Sequence, residues 1–456
     1  MAGTETGTET EAEAGTVAET EAGTETGSVA ETQAGTGTGT EAVAVAVAGT
    51  ETGTGTETET VGESFARYPH AGYRRWRAQG GVRKARFSGA APLAGWVVTG
   101  YAGCRGALAD PRLSKDGATE AYARHEGLPT GGPGGWLTSH MLNSDPPRHT
   151  RLRRLVQQAF TRRRVAELRP RIEAHVTALL DALDRADEAD EVDLIARFAL
   201  PLPLAVIFEL LGADPGAHGI LQVRGHTVGG DGGDGEVSVP TAGVMLERLC
   251  ELVEDKRAHP GDDLLSALLA ARADGDRLTG QEVTSMAFLL VIAGHQTTVN
   301  LVANGLYALL THPGQLAAVR ADPALVPGLT EEVLRHESPF ALASLRYTTE
   351  PVTIAGTTIP AGEFVQIALA AANRDPAVFA DPDRFDVTRD ASRHLAFGHG
   401  IHHCLGAPLA RLQAEIAFTH VLRRFPGLRL AARGRAPEWQ DNPRHRGLLS
   451  LPVRLR

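Results

Sequence analysis

The residues with the clearest capacity for chemistry lie in a short loop near the C-terminus. This loop reads Phe-Gly-His-Gly-Ile-His-His-Cys-Leu-Gly over residues 397–406, and Pro408 falls in the first turn of a predicted helix behind it. Glycines such as Gly398 let the backbone turn tightly and approach a flat ligand. Unpaired N–H groups at a helix start stabilise a thiolate. The pattern favours Cys404 as a thiolate ligand to a metal over a plain buried thiol.

A zinc or copper site is the main alternative interpretation of the same loop. It would use the loop cysteine with His399, His402 and His403, but these residues are too close in sequence for one tetrahedral ion, and no second cysteine pair is present. The other two cysteines, Cys104 and Cys250, are far apart, and the total of three is odd. This usage favours a reducing compartment without disulfide bonds.

A second motif lies midway along the longest predicted helix. Thr279 and Glu282 have the spacing of a capping box, and the apolar pattern continues to about Leu310, which gives roughly 48 Å of helix. The motif Ala-Gly-His-Gln-Thr-Thr occupies residues 293–298. Small residues and a threonine that bonds back to the helix disturb the helical hydrogen bonds. We therefore expect a pocket beside this part of the helix.

Composition divides the chain into a tail and a body. Residues 1–62 repeat Gly, Thr and Glu without a basic or aromatic residue, so we predict a disordered tail there and a folded domain at 63–456. Twelve of the 55 acidic residues lie in the tail, which leaves 43 acidic against 45 basic residues in the body. A nearly neutral body indicates no nucleic-acid partner. Without a secretory signal or a membrane span, we expect a cytoplasmic monomer.

The predicted elements are mainly α with a minor β part. Strands are expected at Val82 to Phe87 and near Trp96, and again at Val352 to Ile354 and Glu363 to Leu369. Most of the remaining body has helical periodicity. Gly117 to Trp136 is expected to be a loop, and a glycine-rich linker follows at residues 229–235.

Residues 397–406 resemble the cysteine loop of the haem-thiolate monooxygenases, the cytochrome P450 superfamily. The resemblance implies a triangular-prism fold with a long central helix over haem b, and O2 as co-substrate. It further implies that Cys404 is the axial iron ligand and that Phe397 and Gly398 contribute to the haem site. Two other positions fit the family pattern: Glu332 and Arg335 resemble its Glu-x-x-Arg pair, a structural ion pair joined by an arginine such as Arg384.

Basic residues elsewhere match the family's propionate ligands. His149 and Arg153 are four residues apart on one helix face and can bind a carboxylate together. The resemblance implies that this pair, with Arg346 and His402, holds the haem propionates. Spacing alone favours a solvated basic helix.

The motif on the long helix resembles the oxygen-activating segment of the family. The resemblance implies that Thr297 hydrogen-bonds iron-bound oxygen and that Gly294, beside Ala293, leaves room for dioxygen. One departure is Gln296, where the family usually has an acid. An amide orients water but cannot exchange a proton as a carboxyl does, so proton delivery is expected to depend on Thr297, water or His295.

The whole pattern resembles actinobacterial macrolide and steroid hydroxylases, which implies oxygen insertion into a C–H bond of a large, moderately hydrophobic molecule. With no reductase segment, electrons are expected from a ferredoxin and its NAD(P)H-dependent reductase, docked on basic residues such as Arg151, Arg154 and Arg162 to Arg164. A peroxide-driven haem enzyme and a non-catalytic haem-binding protein are the alternatives. The resemblance places these residues at the substrate wall: Leu289, Leu290, Ala293, Phe340, Ala341, Leu342 and Leu448.

Overall fold

A computed structural model describes most of the predicted body. It covers residues 58–62, 65, 67–87, 93–126, 135, 138–185, 191–213, 239–273, 275–431 and 437–456. The glycine-rich linker at 229–235 and residues 1–57 of the predicted tail lie outside these ranges.

The described residues form fourteen α-helices and eleven short strands. The helices are α1 Pro69–Ala78, α2 Tyr101–Ala109, α3 Asp116–Glu126, α4 Arg148–Ala159, α5 Arg162–Glu167, α6 Arg169–Arg185, α7 Pro201–Leu211, α8 Val239–Ala258, α9 Leu264–Ala270, α10 Gly280–Thr311, α11 Pro313–Ala321, α12 Val326–His336, α13 Leu369–Ala372 and α14 Ala407–Arg424. The strands are β1 Glu59–Val61, β2 Val82–Phe87, β3 Ala94–Val98, β4 Leu113–Ser114, β5 Val192–Asp193, β6 Arg346–Thr348, β7 Val352–Ile354, β8 Thr357–Ile359, β9 Phe364–Ile367, β10 Arg429–Leu430 and β11 Pro452–Arg454. The prediction of a mainly α fold with a minor β part is confirmed.

Helix α10 is the predicted long helix, with 32 residues. The side chain of Thr279 accepts from the backbone N–H of Glu282, and the Glu282 carboxylate accepts from the N–H of Thr279, so the capping box forms. Among the described helices, α10 alone is long and apolar enough to cross a membrane, and 67% of its most apolar window is buried inside the protein. Helices α7, α8 and α14 pack around it and bury it as a core helix.

The strands form a six-stranded sheet and two smaller ones. The large sheet has the order β1-β2-β3-β9-β6-β4, in which β3 and β9 are parallel and β6 is antiparallel to both β9 and β4. In the last pair, Leu113 lies opposite Thr348 and Ser114 opposite Tyr347. This register brings the residues that follow β4 next to the start of β6.

Two expectations about the chain's organisation were wrong in part. Residues 116–126, expected at the start of a loop, form helix α3, because Asp116 provides an acidic first turn and the Ala- and Glu-rich stretch that follows favours helix. Residues Glu59–Val61, expected in the disordered tail, form β1 and pair in parallel with β2. The buried side chain of Val61 joins Tyr73 and Trp76 in a small apolar cluster, which stabilises this strand.

Candidate active site

The loop that carries Cys404 turns through two glycines. Gly398 and Gly400 have φ angles of 71° and 73°, a region that glycine adopts without a steric penalty. A Cβ atom on Gly400 would lie 3.1 Å from the carbonyl oxygen of Leu108, so glycine also lets the loop pack on α2. The N–H of Cys404 donates to the carbonyl of Phe397 at 2.9 Å and closes the loop just before α14.

The surroundings of the Cys404 sulfur favour a ligand role. The side chain is exposed, although the protein around it still raises the thiol pKa by limiting access of water. Backbone N–H groups of Gly406 and Ala407 and the guanidinium of Arg153 act in the opposite direction and stabilise the thiolate. An accessible sulfur with donors directed at its anion is the arrangement expected of a metal-binding cysteine. In the described chain, no group of three or more His, Cys, Asp or Glu side chains is placed to hold a metal ion, so the zinc alternative gains no support.

The four residues predicted to bind propionates meet beside this loop. His149 and Arg346 are 3% and 4% exposed, and the rings of His149 and His402 lie 4.3 Å apart. Arg153 donates to the carbonyl of His403 at 2.8 Å. None of the four forms an ion pair with another described residue.

Several nitrogen atoms of this group are buried without a partner. They are both ring nitrogens of His149, Nε2 of His402 and Nε of Arg346. Burial lowers the pKa of His402 to about 2, and the nearby Arg346 and His149 act in the same direction. Buried polar atoms normally have hydrogen-bond partners, so this set fits an anionic ligand. The two carboxylates of haem b match that requirement.

Helix α10 is accessible at its predicted motif, midway along its length. Ala293 is the only exposed residue between Val283 and Leu310. The hydroxyl of Thr297 donates to the carbonyl of Ala293 at 2.8 Å, and that of Thr298 donates to Gly294 at 2.9 Å. Both threonines bond back as expected, yet the helix remains α-helical throughout. The accessible surface arises from the small side chain of Ala293 and not from a break in the helix.

The neighbours of this motif differ in their contacts. A Cβ atom on Gly294 would lie 3.1 Å from Cδ1 of Ile207, so this glycine lets α7 pack closely on α10. The Gln296 amide donates to Oδ1 of the buried Asn300 at 3.2 Å. His295 is buried, its Nε2 has no partner, and burial lowers its pKa to about 4. It is therefore neutral at pH 7.

The predicted Glu-x-x-Arg pair is fully buried. Nε and Nη2 of Arg335 donate to the two carboxylate oxygens of Glu332 at 2.7 and 2.8 Å, and both side chains are 0% exposed. The prediction for Arg384 was wrong in detail: its carbonyl accepts from Arg335 at 3.1 Å, while its side chain is largely exposed and pairs with Asp386. The cation that reaches Glu332 is Arg389, at 3.4 Å, and no local motif marks it in the sequence.

The predicted substrate residues divide by accessibility. Ala293 is exposed and Leu290 and Phe340 are half-buried, with the Phe340 ring 5.1 Å from that of His445. Leu449, which follows the predicted residue Leu448 in the chain, is 56% exposed. The remaining predicted residues are packed in apolar clusters, and their contact with a substrate stays a prediction: Leu289, Ala341, Leu342 and Leu448.

Comparison with known proteins identifies the class. The family model described as "Cytochrome P450" matches residues 243–437. The chain is 48% identical to cytochrome P450 107B1 of Saccharopolyspora erythraea, over 86% of this chain and 96% of that protein. It is 42% identical to 6-deoxyerythronolide B hydroxylase of the same organism, over 84% and 95% of the two chains. The tirandamycin C-bound structure of the P450 monooxygenase TamI has a TM-score of 0.78 at 44% identity, covering 87% of this chain and all of that one.

The chain belongs to the cytochrome P450 family. It is a haem-thiolate monooxygenase that binds haem b and uses O2 as co-substrate. The predicted fold and class are thereby confirmed. The roles of individual residues stay predictions, which the geometry above supports to different degrees.

Proposed function

We propose that Cys404 is the axial iron ligand and that His149, Arg153, Arg346 and His402 hold the haem propionates. The observation that carries this proposal is the pairing of an exposed cysteine with buried nitrogen atoms that have no partner, on the same loop and on α4 and β6. Bound haem supplies the redox chemistry by which O2 is split, with one oxygen atom inserted into a C–H bond and the other leaving as water.

In this proposal, residues of α10 deliver protons to the site and orient water there. The hydroxyl of Thr297 lies next to the exposed Ala293, and its hydrogen bond to the carbonyl of Ala293 fixes the direction of the oxygen lone pairs. Gln296 is held by Asn300 and orients water without exchanging a proton. His295 is neutral and buried, so we assign proton delivery to Thr297 and ordered water in preference to this histidine.

The substrate is a large, moderately hydrophobic secondary metabolite of the macrolide or polyketide type. This proposal is supported by two relatives, one named for hydroxylation of 6-deoxyerythronolide B and one solved with tirandamycin C. The accessible residues of the predicted wall are Leu290, Ala293 and Phe340, which are apolar, as is the exposed Leu449 next to Leu448 in the chain. A ligand that binds there is expected to be recognised mainly by shape and apolar contact.

Electrons come from a ferredoxin and its reductase in this proposal. The predicted basic docking face is smaller than expected, because Arg151 is bound by Asp276 and Glu282. Arg163 pairs with Glu167 at 3.7 Å, but its side chain is 86% exposed, and Ile401 in the cysteine loop is 50% exposed. Exposed apolar and basic side chains suit the docking of an acidic electron carrier. Turnover with ferredoxin that greatly exceeds turnover with peroxide would support this partner, and the reverse would overturn it.

A spectroscopic comparison tests the ligand assignment. Cys404→Ser is expected to abolish the red-shifted Soret band of the reduced CO complex, since a hydroxyl does not supply the thiolate. The matched control is Cys250→Ser, because Cys250 is half-buried on α8 and should leave the band unchanged. A wild-type band in Cys404→Ser would refute the assignment.

A titration tests the substrate class. A panel of macrolactones, tirandamycin C, steroids and terpenoids is added to the ferric protein, and a Soret shift to shorter wavelength reports displacement of water from iron. We expect the polyketide-derived members to give the largest shift and a hydroxylated product on turnover. A shift confined to steroids or terpenoids would contradict the proposed class.

A further inference from the structure

Lys115 is a buried cation that nothing in the described protein neutralises. It is 2% exposed and stands between β4 and α3. Its ammonium donates to the carbonyl of Leu345 at 3.0 Å. An ammonium carries three donors, and Lys115 forms no ion pair with another described residue. A buried lysine with so few partners is rare unless a further anion is bound.

The sheet places this lysine beside a second buried cation. In the antiparallel pair of β4 and β6, Ser114 lies opposite Tyr347. Lys115 directly follows β4, and its ammonium donates to the carbonyl of Leu345, the residue before Arg346. Arg346 is 4% exposed and has an unpartnered Nε. The two like charges repel each other, which disfavours the charged form of Lys115. An anion that contacts both would remove this repulsion.

The nearest carboxylate does not supply that anion. Asp145 accepts from the hydroxyl of Ser114 and from the backbone N–H groups of Lys115 and Asp116, at 2.5 to 3.2 Å. Burial and the nearby Arg346 and Arg444 lower the pKa of Lys115, whereas Asp145 raises it. The lowering effects are larger, so the pKa of Lys115 lies well below its ordinary value. The other titratable neighbour, His140, is buried and neutral, since burial and Lys115 lower its pKa to about 3.

We propose that Lys115 is a cofactor-holding residue whose ammonium, together with Arg346, binds a carboxylate of the haem. The inference rests on the proposed haem site, and it adds a fifth nitrogen group to the four that the sequence predicts. The same lysine is close enough to His402 to contribute to its lowered pKa, so it borders the cluster beside the cysteine loop. An anionic carboxylate there receives the unused donors of both cations.

The test measures haem retention and propionate hydrogen bonding in the haem-loaded full chain. Lys115→Met preserves the length of the side chain and removes the charge. We expect haem transfer to apomyoglobin to be at least about tenfold faster, as for loss of a charge-assisted hydrogen bond. We also expect a shift of the propionate bending mode in the resonance Raman spectrum, which a merely structural role would not move. The control Lys84→Met removes a half-buried lysine on β2 that pairs with Glu363 at 2.8 Å, and it should change neither quantity.

Two outcomes would overturn the proposal. One is a Lys115→Met protein with the wild-type propionate mode, whatever its rate of haem loss. If Lys115→Met does not accumulate with haem, the variant Lys115→Arg is measured instead, because a guanidinium donates in a different geometry. A shifted propionate mode in Lys115→Arg supports the contact, and an unchanged mode refutes it. Throughout, the reduced CO complex keeps its thiolate-type band. Loss of that band in the wild type would instead refute the ligand assignment of Cys404.

Discussion

Replacing Arg335 by lysine keeps the charge of the buried ion pair and removes its geometry. The five N–H groups of Arg335 make five hydrogen bonds: two to the Glu332 carboxylate and one each to the carbonyls of Asn373, Pro382 and Arg384. Lysine has three donors on one nitrogen, so at least two of these acceptors lose their partner. The substitution therefore tests whether this arginine is required for its shape or for its charge.

The expected loss of stability follows from the burial of the site. A hydrogen bond lost from a buried acceptor costs about 1–3 kcal/mol, so Arg335→Lys should lower the free energy of unfolding by about 3 kcal/mol. Arg335→Leu leaves the Glu332 charge with Arg389 at 3.4 Å as its remaining cation and should cost about 4–5 kcal/mol. Loss of the planar contact with the Phe379 ring, 5.5 Å from the guanidinium, adds to both.

The assay is urea unfolding of the haem-loaded protein, followed by the thiolate-type CO band and by far-ultraviolet circular dichroism. Arg248→Lys is the matched control, because Arg248 pairs with Glu251 at the same spacing on α8 with both side chains largely exposed. Its free energy of unfolding should stay within about 0.5 kcal/mol of wild type. If Arg335→Lys were as stable as this control, the argument from donor geometry would be refuted.

Two further predictions concern the motif on α10. Gln296→Glu should increase the fraction of NADPH electrons recovered in product and decrease peroxide release. The reason is that a carboxyl exchanges protons, and the unpartnered Nδ2 of Asn300 is available to donate to it. Unchanged coupling would count against a role of position 296 in proton delivery. His295 has a folded-state pKa of about 4 against 6.5 when unfolded, so the unfolded chain binds the extra proton and stability falls as pH decreases through that window. His295→Gln should therefore lose about 2 kcal/mol less than wild type between pH 7 and pH 5 in urea unfolding, and an equal loss would contradict burial as the cause.

The features that could be predicted from sequence depend on local signals. The capping box at Thr279 sets the start of α10, and its apolar pattern sets the length, so both agree with the structure. The cysteine loop was recognisable because its glycines are needed at two left-handed positions, Gly398 and Gly400, within a few residues of the sulfur. In each case the residues that determine the geometry are close together along the chain.

The features that were missed depend on contacts between distant segments. Helix α3 lies within a stretch rich in Gly and Pro, and its first turn is bound by Asp145, which is 29 residues away from Asp116. Arg389 contacts Glu332 although the two residues are 57 positions apart in the chain. Lys115 acquires its significance only when β4 pairs with β6, more than 230 residues later in the chain. No pattern within a short window distinguishes such residues from ordinary surface charges.

Helix α10 contacts α4 near its start and α14 in its second half. The first of these contacts uses Arg151, one of the residues expected to dock a redox partner. Arg151, on the helix that also carries the predicted propionate pair, donates to Asp276 at 2.5 Å and to Glu282 of the capping box at 2.6 Å. Farther along α10, Gly305 packs against the Phe418 ring on α14, where a Cβ atom would lie only 2.3 Å away. Helix α10 is thus connected near its start to α4, which carries the predicted propionate pair, and in its second half to α14, which follows the cysteine loop. A displacement of either neighbour would alter the position of residues 293–298 relative to Cys404, and the charge of Arg151 is used in this internal connection.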